Sequence, residues 1–139
     1  MMDGQPGMSL VGRSNCIIQP MRKIELQMLD AIDRGISWRS ANTEVRQECH
    51  PERGWLTKIE LHGQLIATIT ETDSQYKWLE LHFGSAWHFS RTTFSRLNAL
   101  TRELLGSSVV YQRKHQPFIS TRRGEFELET GDTYTFICN

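Results

Sequence analysis

The chain has 139 residues, which is the usual length of a single globular domain. Hydrophobic residues make up 38% and charged residues 23% of the chain, and this composition excludes a disordered protein. The 16 Lys and Arg residues balance the 16 Asp and Glu residues, which excludes a polybasic, histone-like protein and argues against a DNA mimic. No apolar run approaches the roughly 18 residues of a membrane-spanning helix, so we expect no membrane partner.

The cysteines and the N-terminal segment indicate the compartment. Cys16, Cys49 and Cys138 are odd in number and widely spaced, which fits neither a disulfide framework nor a metal-binding motif. So few cysteines are typical of a reducing cytoplasm. Residues 1–20 are rich in Gly, Ser, Pro and Asn and lack the pattern of a signal peptide. The sequence therefore predicts a cytoplasmic protein with a flexible leader over 1–20 and a single domain over 21–139.

The first predicted element is a helix over residues 21–35. Its apolar residues recur at helical spacing and form one stripe, and Gly35 stands where a C-terminal cap belongs. The members of the stripe are Ile24, Met28, Leu29 and Ile32.

Alternating apolar and polar residues then predict four strands. Val45 is the centre of a polar stretch over 42–48, and alternation is clearest over 55–61, where Trp55 is interpreted as a residue at the edge of the core. A turn at Gly63 joins that strand to a second one from Leu65, so the pair is predicted to be a hairpin. A further strand is predicted over 76–83.

The apolar period changes again in the second half of the chain. Phe94, Leu97, Leu100 and Leu104 are spaced for a helix of about three turns, with Thr92 or Thr93 as N-cap and Gly106 as its end. Four more strands follow, with turns at 123–124 and 131–132. They are predicted over 109–113, 117–121, 125–129 and 133–137.

The order α-ββββ-α-ββββ predicts an α+β domain in which two helices pack on one face of a mainly antiparallel sheet. The repeated order is also compatible with duplication of an α-β unit. Helices on one face leave the other sheet face available to a ligand or partner.

A short repeated pattern places acidic and imidazole side chains together. Glu60 and His62 share one strand face, as do Glu80 and His82, because residues i and i+2 of a strand point the same way. If the two strands are neighbours, the four side chains form a cluster suited to a divalent metal or to acid–base catalysis. The simpler alternative is that alternation requires polar residues on a solvated face, and Glu and His fill it.

Charge is distributed unevenly along the second half. Residues 91–123 carry seven basic side chains and one acidic one, whereas residues 124–139 carry four acidic side chains and no basic one. Arginines interleaved with aromatic residues are typical of a surface that binds single-stranded DNA or RNA. The alternative is that the basic residues pair across strands with the acidic tail. The basic candidates are Arg91, Arg96, Arg102, Arg113, Lys114, Arg122 and Arg123.

The segment 87–93 leads into the second helix with several hydroxyl side chains. Free N–H groups at such a helix start can hold an anion, although an ordinary N-cap explains the same residues. The sequence contains no Gly-rich phosphate loop, no nucleophile-elbow motif and no zinc motif. We therefore expect no cofactor and no metal, and the sequence leans away from an enzyme without excluding one.

Several segments resemble a family of small tailed-bacteriophage proteins to which no activity is assigned. They are Met21–Glu25 through Ile36–Thr43, Leu61–Ala67 and Thr92–Leu100. The resemblance starts near Met21 and covers about four-fifths of the chain. The chain departs from the family pattern in having Gln64 in place of Asn and Phe94 in place of Lys.

The resemblance implies a phage origin, and hence the cytoplasm of an infected bacterium, rather than a reaction. Within the shared helix start, Arg96 and Asn98 lie off the apolar stripe, so they are predicted to be exposed or half-exposed and, with His62, Thr92 and Thr93, to contact a partner.

The leading hypothesis is a non-enzymatic phage accessory protein that binds a host macromolecule during host takeover or counter-defence. Single-stranded nucleic-acid binding through residues 91–123 and an enzyme built on the Glu/His cluster are the alternatives. A virion component and a homo-oligomer stay open.

Overall fold

The computed structural model describes residues 21–72 and 76–138. Two α-helices and a short 3-10 helix accompany nine strands. The helices are α1 (Lys23–Arg34), the 3-10 helix (Ala86–Phe89) and α2 (Arg91–Leu105). The strands are β1 (Trp38–Ser40), β2 (Thr43–His50), β3 (Gly54–Leu61), β4 (Gln64–Glu71), β5 (Lys77–Phe83), β6 (Val110–Arg113), β7 (Gln116–Thr121), β8 (Gly124–Glu127) and β9 (Asp132–Cys138).

The predicted α+β class and element order are confirmed. Every predicted strand is present to within two residues, and the sequence missed only β1 and the 3-10 helix. The leader over 1–20 lies outside the described residues. None of the helices in the described ranges is long and apolar enough to cross a bilayer.

α1 ends where glycine permits the backbone to turn. Gly35 has φ 67°, and its N–H donates to the carbonyl oxygens of Ala31 and Ile32. The most buried residues of α1 are Glu25, Met28 and Ala31, so a carboxylate lies on the face that packs inward. The predicted stripe contains Met28 but omits Glu25.

α2 begins one residue after Ser90. The Ser90 backbone is extended, and its Oγ accepts a hydrogen bond from the N–H of Thr93 at 3.1 Å. The prediction of Thr92 or Thr93 as N-cap is therefore wrong, because both already belong to the first turn. Gly106, with φ 90°, ends the helix as predicted.

The strands form two antiparallel sheets. The larger sheet has the order β1-β2-β3-β4-β5-β9, and the smaller has the order β6-β7-β8. β9 therefore does not join β6, β7 and β8, the strands that precede it in the chain. It pairs instead with β5, from Lys77 opposite Cys138 to Phe83 opposite Asp132. The two halves of the chain do not form equivalent units, which argues against the duplication considered above.

One core lies between the larger sheet, the two helices and the smaller sheet. Strand register places alternate residues of the larger sheet on this side, for example Val45 opposite Ile59 and Ala67 opposite Leu81. Leu97 and Leu100 of α2 and Ile119 of β7 are fully buried in the same cluster. Burial of such side chains contributes about 1.5–3 kcal/mol each, which fixes the helices on this inner face.

Candidate functional site

The face of the larger sheet that points away from the helices, which we call the outer face, carries two rows of side chains. In the strand register, each row extends across five adjacent strands, which are β2, β3, β4, β5 and β9. The first row consists of Glu48, Leu56, Thr70, Trp78 and Ile137. The second consists of Arg46, Lys58, Thr68, Glu80 and Thr135.

Apolar side chains are exposed at one end of this face. Trp78 is 39% exposed and its neighbour Ile137 is 61% exposed, while Tyr76, just before β5, is 53% exposed. A hollow of about 340 Å³ lies beside the Trp78 side chain and is also lined by Arg53 and Thr135. The outer face thus offers an exposed aromatic ring next to a concave surface.

Three bases on this side of the larger sheet are paired with carboxylates. Arg46 lies 2.8 Å from Glu60 and Lys58 lies 3.2 Å from Glu48. A third pair joins Arg53 to Glu80 at 3.8 Å. Arg53, the base that lines the hollow, is thus paired, whereas Glu52, which also lines it, makes no ion pair within the described residues.

The Glu/His cluster does not assemble. β4 lies between β3 and β5, because consecutive hairpins place each strand beside the previous one. His62 is not on a strand, because it lies in the β3–β4 turn with φ 52°. Its ring contacts the Trp87 ring edge-on, with the two ring centroids 5.9 Å apart. Within the described residues, no group of three or more His, Cys, Asp or Glu side chains is placed to hold a metal ion.

His82 occupies a more protected place than its cluster partners. Its Nε2 lies 3.1 Å from the Thr68 hydroxyl, in a hydrogen bond whose direction depends on the tautomer. Burial lowers the pKa of His82, although nearby Glu80 acts in the opposite direction. The arrangement favours a neutral imidazole that completes the packing of β4 against β5.

Arg96 is buried, so the prediction that its side chain is exposed is wrong. The residue is 3% exposed, and Nη1 donates to Glu25 at 2.8 Å while Nε donates to the Thr43 hydroxyl at 3.0 Å. Ser95 also donates to the Glu25 carboxylate. This network ties α1, α2 and β2 together, and its members lie too far apart in sequence for periodicity to reveal it.

Asn98 is half-buried and its amide is occupied. Oδ1 accepts from the backbone N–H groups of Val109 and Val110 at 3.0 Å each, and Nδ2 donates to the Val110 carbonyl at 2.8 Å. Asn98 therefore joins α2 to β6. Of the two threonines at the helix start, Thr93 is fully buried and Thr92 is half-buried.

The remaining basic candidates have different surroundings. Arg113 forms an ion pair with Glu125 at 2.9 Å and lies over the rings of Tyr111 and Phe118. For this residue, the alternative that the basic side chains pair with the acidic tail is confirmed. By contrast, Lys114, Arg122 and Arg123 are exposed in turns and make no ion pair within the described residues.

A groove of about 430 Å³ between the start of α1, one side of α2 and β6 is a second concave surface. Four of the lining residues that come from α2 are spaced four, three and four positions apart. Residues at this spacing lie on the same face of a helix. These residues are Arg91, Ser95, Asn98 and Arg102. From the sequence, Arg91 was considered part of a basic segment and Asn98 a partner contact, and the two were not placed on one face. The spacing of these residues could have revealed that shared face.

The comparison with protein families decides the affiliation. A model described as Kyanoviridae Gp96 protein matches residues 21–135. The chain belongs to this phage protein family. The resemblance stated from the sequence is thereby confirmed, including its start at Met21. Neither the curated proteins nor the solved structures contain a match, so what the Kyanoviridae Gp96 fold does must be argued from its own surfaces.

Proposed function

We propose that this Kyanoviridae Gp96 family member is a non-enzymatic accessory protein that binds a host protein in the infected cell. The observation that carries the proposal is the exposed pair Trp78 and Ile137 on the outer face, beside a hollow. Partly exposed aromatic anchors surrounded by polar residues are typical of protein–protein interfaces.

The charge pattern favours a protein over a nucleic acid on this surface. Arg46, Arg53 and Lys58 on this face are each paired with a carboxylate at 2.8–3.8 Å. A phosphate backbone requires free cations, because its affinity comes largely from counterion release. Exposed apolar side chains without an unpaired base in the adjoining hollow instead favour a partner that buries apolar area.

Site-specific photocrosslinking in the host bacterium tests this proposal. A benzophenone amino acid placed at Ile137 should give one discrete adduct with a host protein. The matched control is the same group at Phe126, which is 43% exposed on β8, in the other sheet. Equal adducts from both positions, or adducts only between copies of this chain, would contradict the proposal.

The identified partner then permits a quantitative test. Trp78→Ala should weaken its binding at least tenfold in calorimetry, because a central aromatic anchor contributes roughly 2 kcal/mol or more. Phe126→Ala should leave the affinity unchanged. Unchanged affinity in Trp78→Ala, with folding intact by circular dichroism, would refute the assignment of this face.

A further inference from the structure

The groove between α1, α2 and β6 has a different chemistry from the outer face. Arg22, Arg91 and Arg102 line it, and none of them makes an ion pair within the described residues. Three bases of the outer face, by contrast, have carboxylate partners: Arg46, Arg53 and Lys58. Three arginines that form no ion pair within the described residues therefore line one concavity of a chain whose net charge is zero.

Glu25 is the only carboxylate among the described residues that line the groove, and it does not offset these charges. Glu25 already accepts from the backbone N–H of Arg22 at 3.2 Å, and its other oxygen accepts from Arg96 Nη1 at 2.8 Å. Arg96 lies behind the groove lining and neutralises it. The groove therefore has an excess of about three positive charges, all of them on side chains with free donors.

One guanidinium group of the groove lining has a donor without an acceptor. Arg102 Nε is inaccessible to water and has no hydrogen-bond partner within the described residues. Leaving such a group unsatisfied costs about 1–3 kcal/mol, and more for a charged group, so native structures rarely do so without a reason. The Tyr111 hydroxyl, also in the groove lining, does not add to this argument, because burial and a hydrogen bond with Glu125 raise the pKa of Tyr111.

We infer that this groove binds a phosphate group through Arg22, Arg91 and Arg102. Guanidinium groups bind phosphate oxygens with paired N–H donors, which suits a concavity lined by several of them. The volume of about 430 Å³ admits a nucleotide as well as a lone phosphate. The phosphate therefore comes either from a free nucleotide or from a nucleic-acid backbone.

The test follows the Nε–Hε signal of Arg102 by NMR in the ¹⁵N-labelled full chain. Inorganic phosphate, adenosine 5′-monophosphate and an oligothymidylate are titrated separately. Binding in the groove should shift the Arg102 signal downfield and saturably, together with backbone signals in the first turns of α2. Saturation by the two small anions, with the oligonucleotide no tighter than the nucleotide, identifies a free phosphate ligand. An oligonucleotide at least tenfold tighter, with affinity falling steeply as salt rises, identifies a nucleic-acid backbone.

Variants separate the groove from general charge effects. Arg102→Gln should weaken binding at least tenfold, because hydrogen bonds to charged groups contribute about 1.5–3 kcal/mol. If that variant is unstable, Arg91→Gln, whose side chain is exposed, should give the same direction of change. The matched control is Arg39→Gln, an exposed arginine on β1 with no ion pair within the described residues. Absence of a saturable Arg102 shift at millimolar concentrations of all three probes, or equal weakening by Arg39→Gln, would overturn the inference.

Discussion

The buried ion pair between Arg96 and Glu25 gives the sharpest prediction about stability. Arg96→Met removes a guanidinium that donates to Glu25 at 2.8 Å and to Thr43 at 3.0 Å. The Glu25 carboxylate is only 1% exposed, so water cannot replace the lost donor. Breaking a buried pair by removing one partner costs about 3–5 kcal/mol.

That cost is a large share of the stability of an ordinary domain, which is about 5–15 kcal/mol. The free energy of unfolding should therefore fall by about 3–5 kcal/mol in urea titrations followed by circular dichroism. The double variant Glu25→Met/Arg96→Met should recover most of the loss, because an apolar pair of similar size leaves no uncompensated charge. Arg34→Met is the control: its ion pair with Asp30 is exposed, so the change should stay within about 0.5 kcal/mol. The reasoning fails if Arg96→Met is within about 1 kcal/mol of wild type, or if the double variant is less stable than either single one.

Three further changes have outcomes that the structure specifies. Asn98→Ala removes the amide that links α2 to β6 through three hydrogen bonds, so the melting temperature should fall; an unchanged value would mean that water replaces the amide. Gly54→Ala would bring a Cβ to 2.5 Å from the Glu71 carbonyl oxygen, so it should destabilise more than Gly35→Ala, which adds only the roughly 1–2 kcal/mol of a left-handed backbone; denaturant titrations compare the two. His82 has a lowered pKa in the folded chain, so the unfolded chain binds more protons and the free energy of unfolding should fall as the pH drops below about 6.5. Measured against pH, His82→Gln should show a shallower fall, and an equal slope would contradict the assignment.

Local sequence patterns were sufficient to predict the elements. Alternation and glycine turns predicted β2 to β9 closely, because those signals depend on neighbours a few residues apart. β1 was missed because its three residues, Trp38–Ser40, are too few to show a period. The 3-10 helix was missed for the same reason.

The sites depend on contacts between distant residues, which local patterns do not encode. Arg96 was predicted to be exposed because a charge off an apolar stripe normally faces water, yet its partner Glu25 lies 71 residues away. The Glu/His cluster required β3 beside β5, and only the strand order shows that β4 intervenes. The outer face was predicted to be available to a partner, since helices on one side leave the other uncovered, and this stays a prediction.

The pairing of β9 with β5 has a consequence for synthesis on the ribosome. β1 to β5 are joined by hairpins and can form their sheet as they are made, whereas the edge of β5 waits while residues 84–131 are translated. During that interval β5 presents unpaired backbone N–H and C=O groups, which is the condition under which nascent chains pair with one another. Rapid translation of the segment that contains α2 and the smaller sheet should therefore raise the yield of folded protein, and a pause within it should favour aggregation.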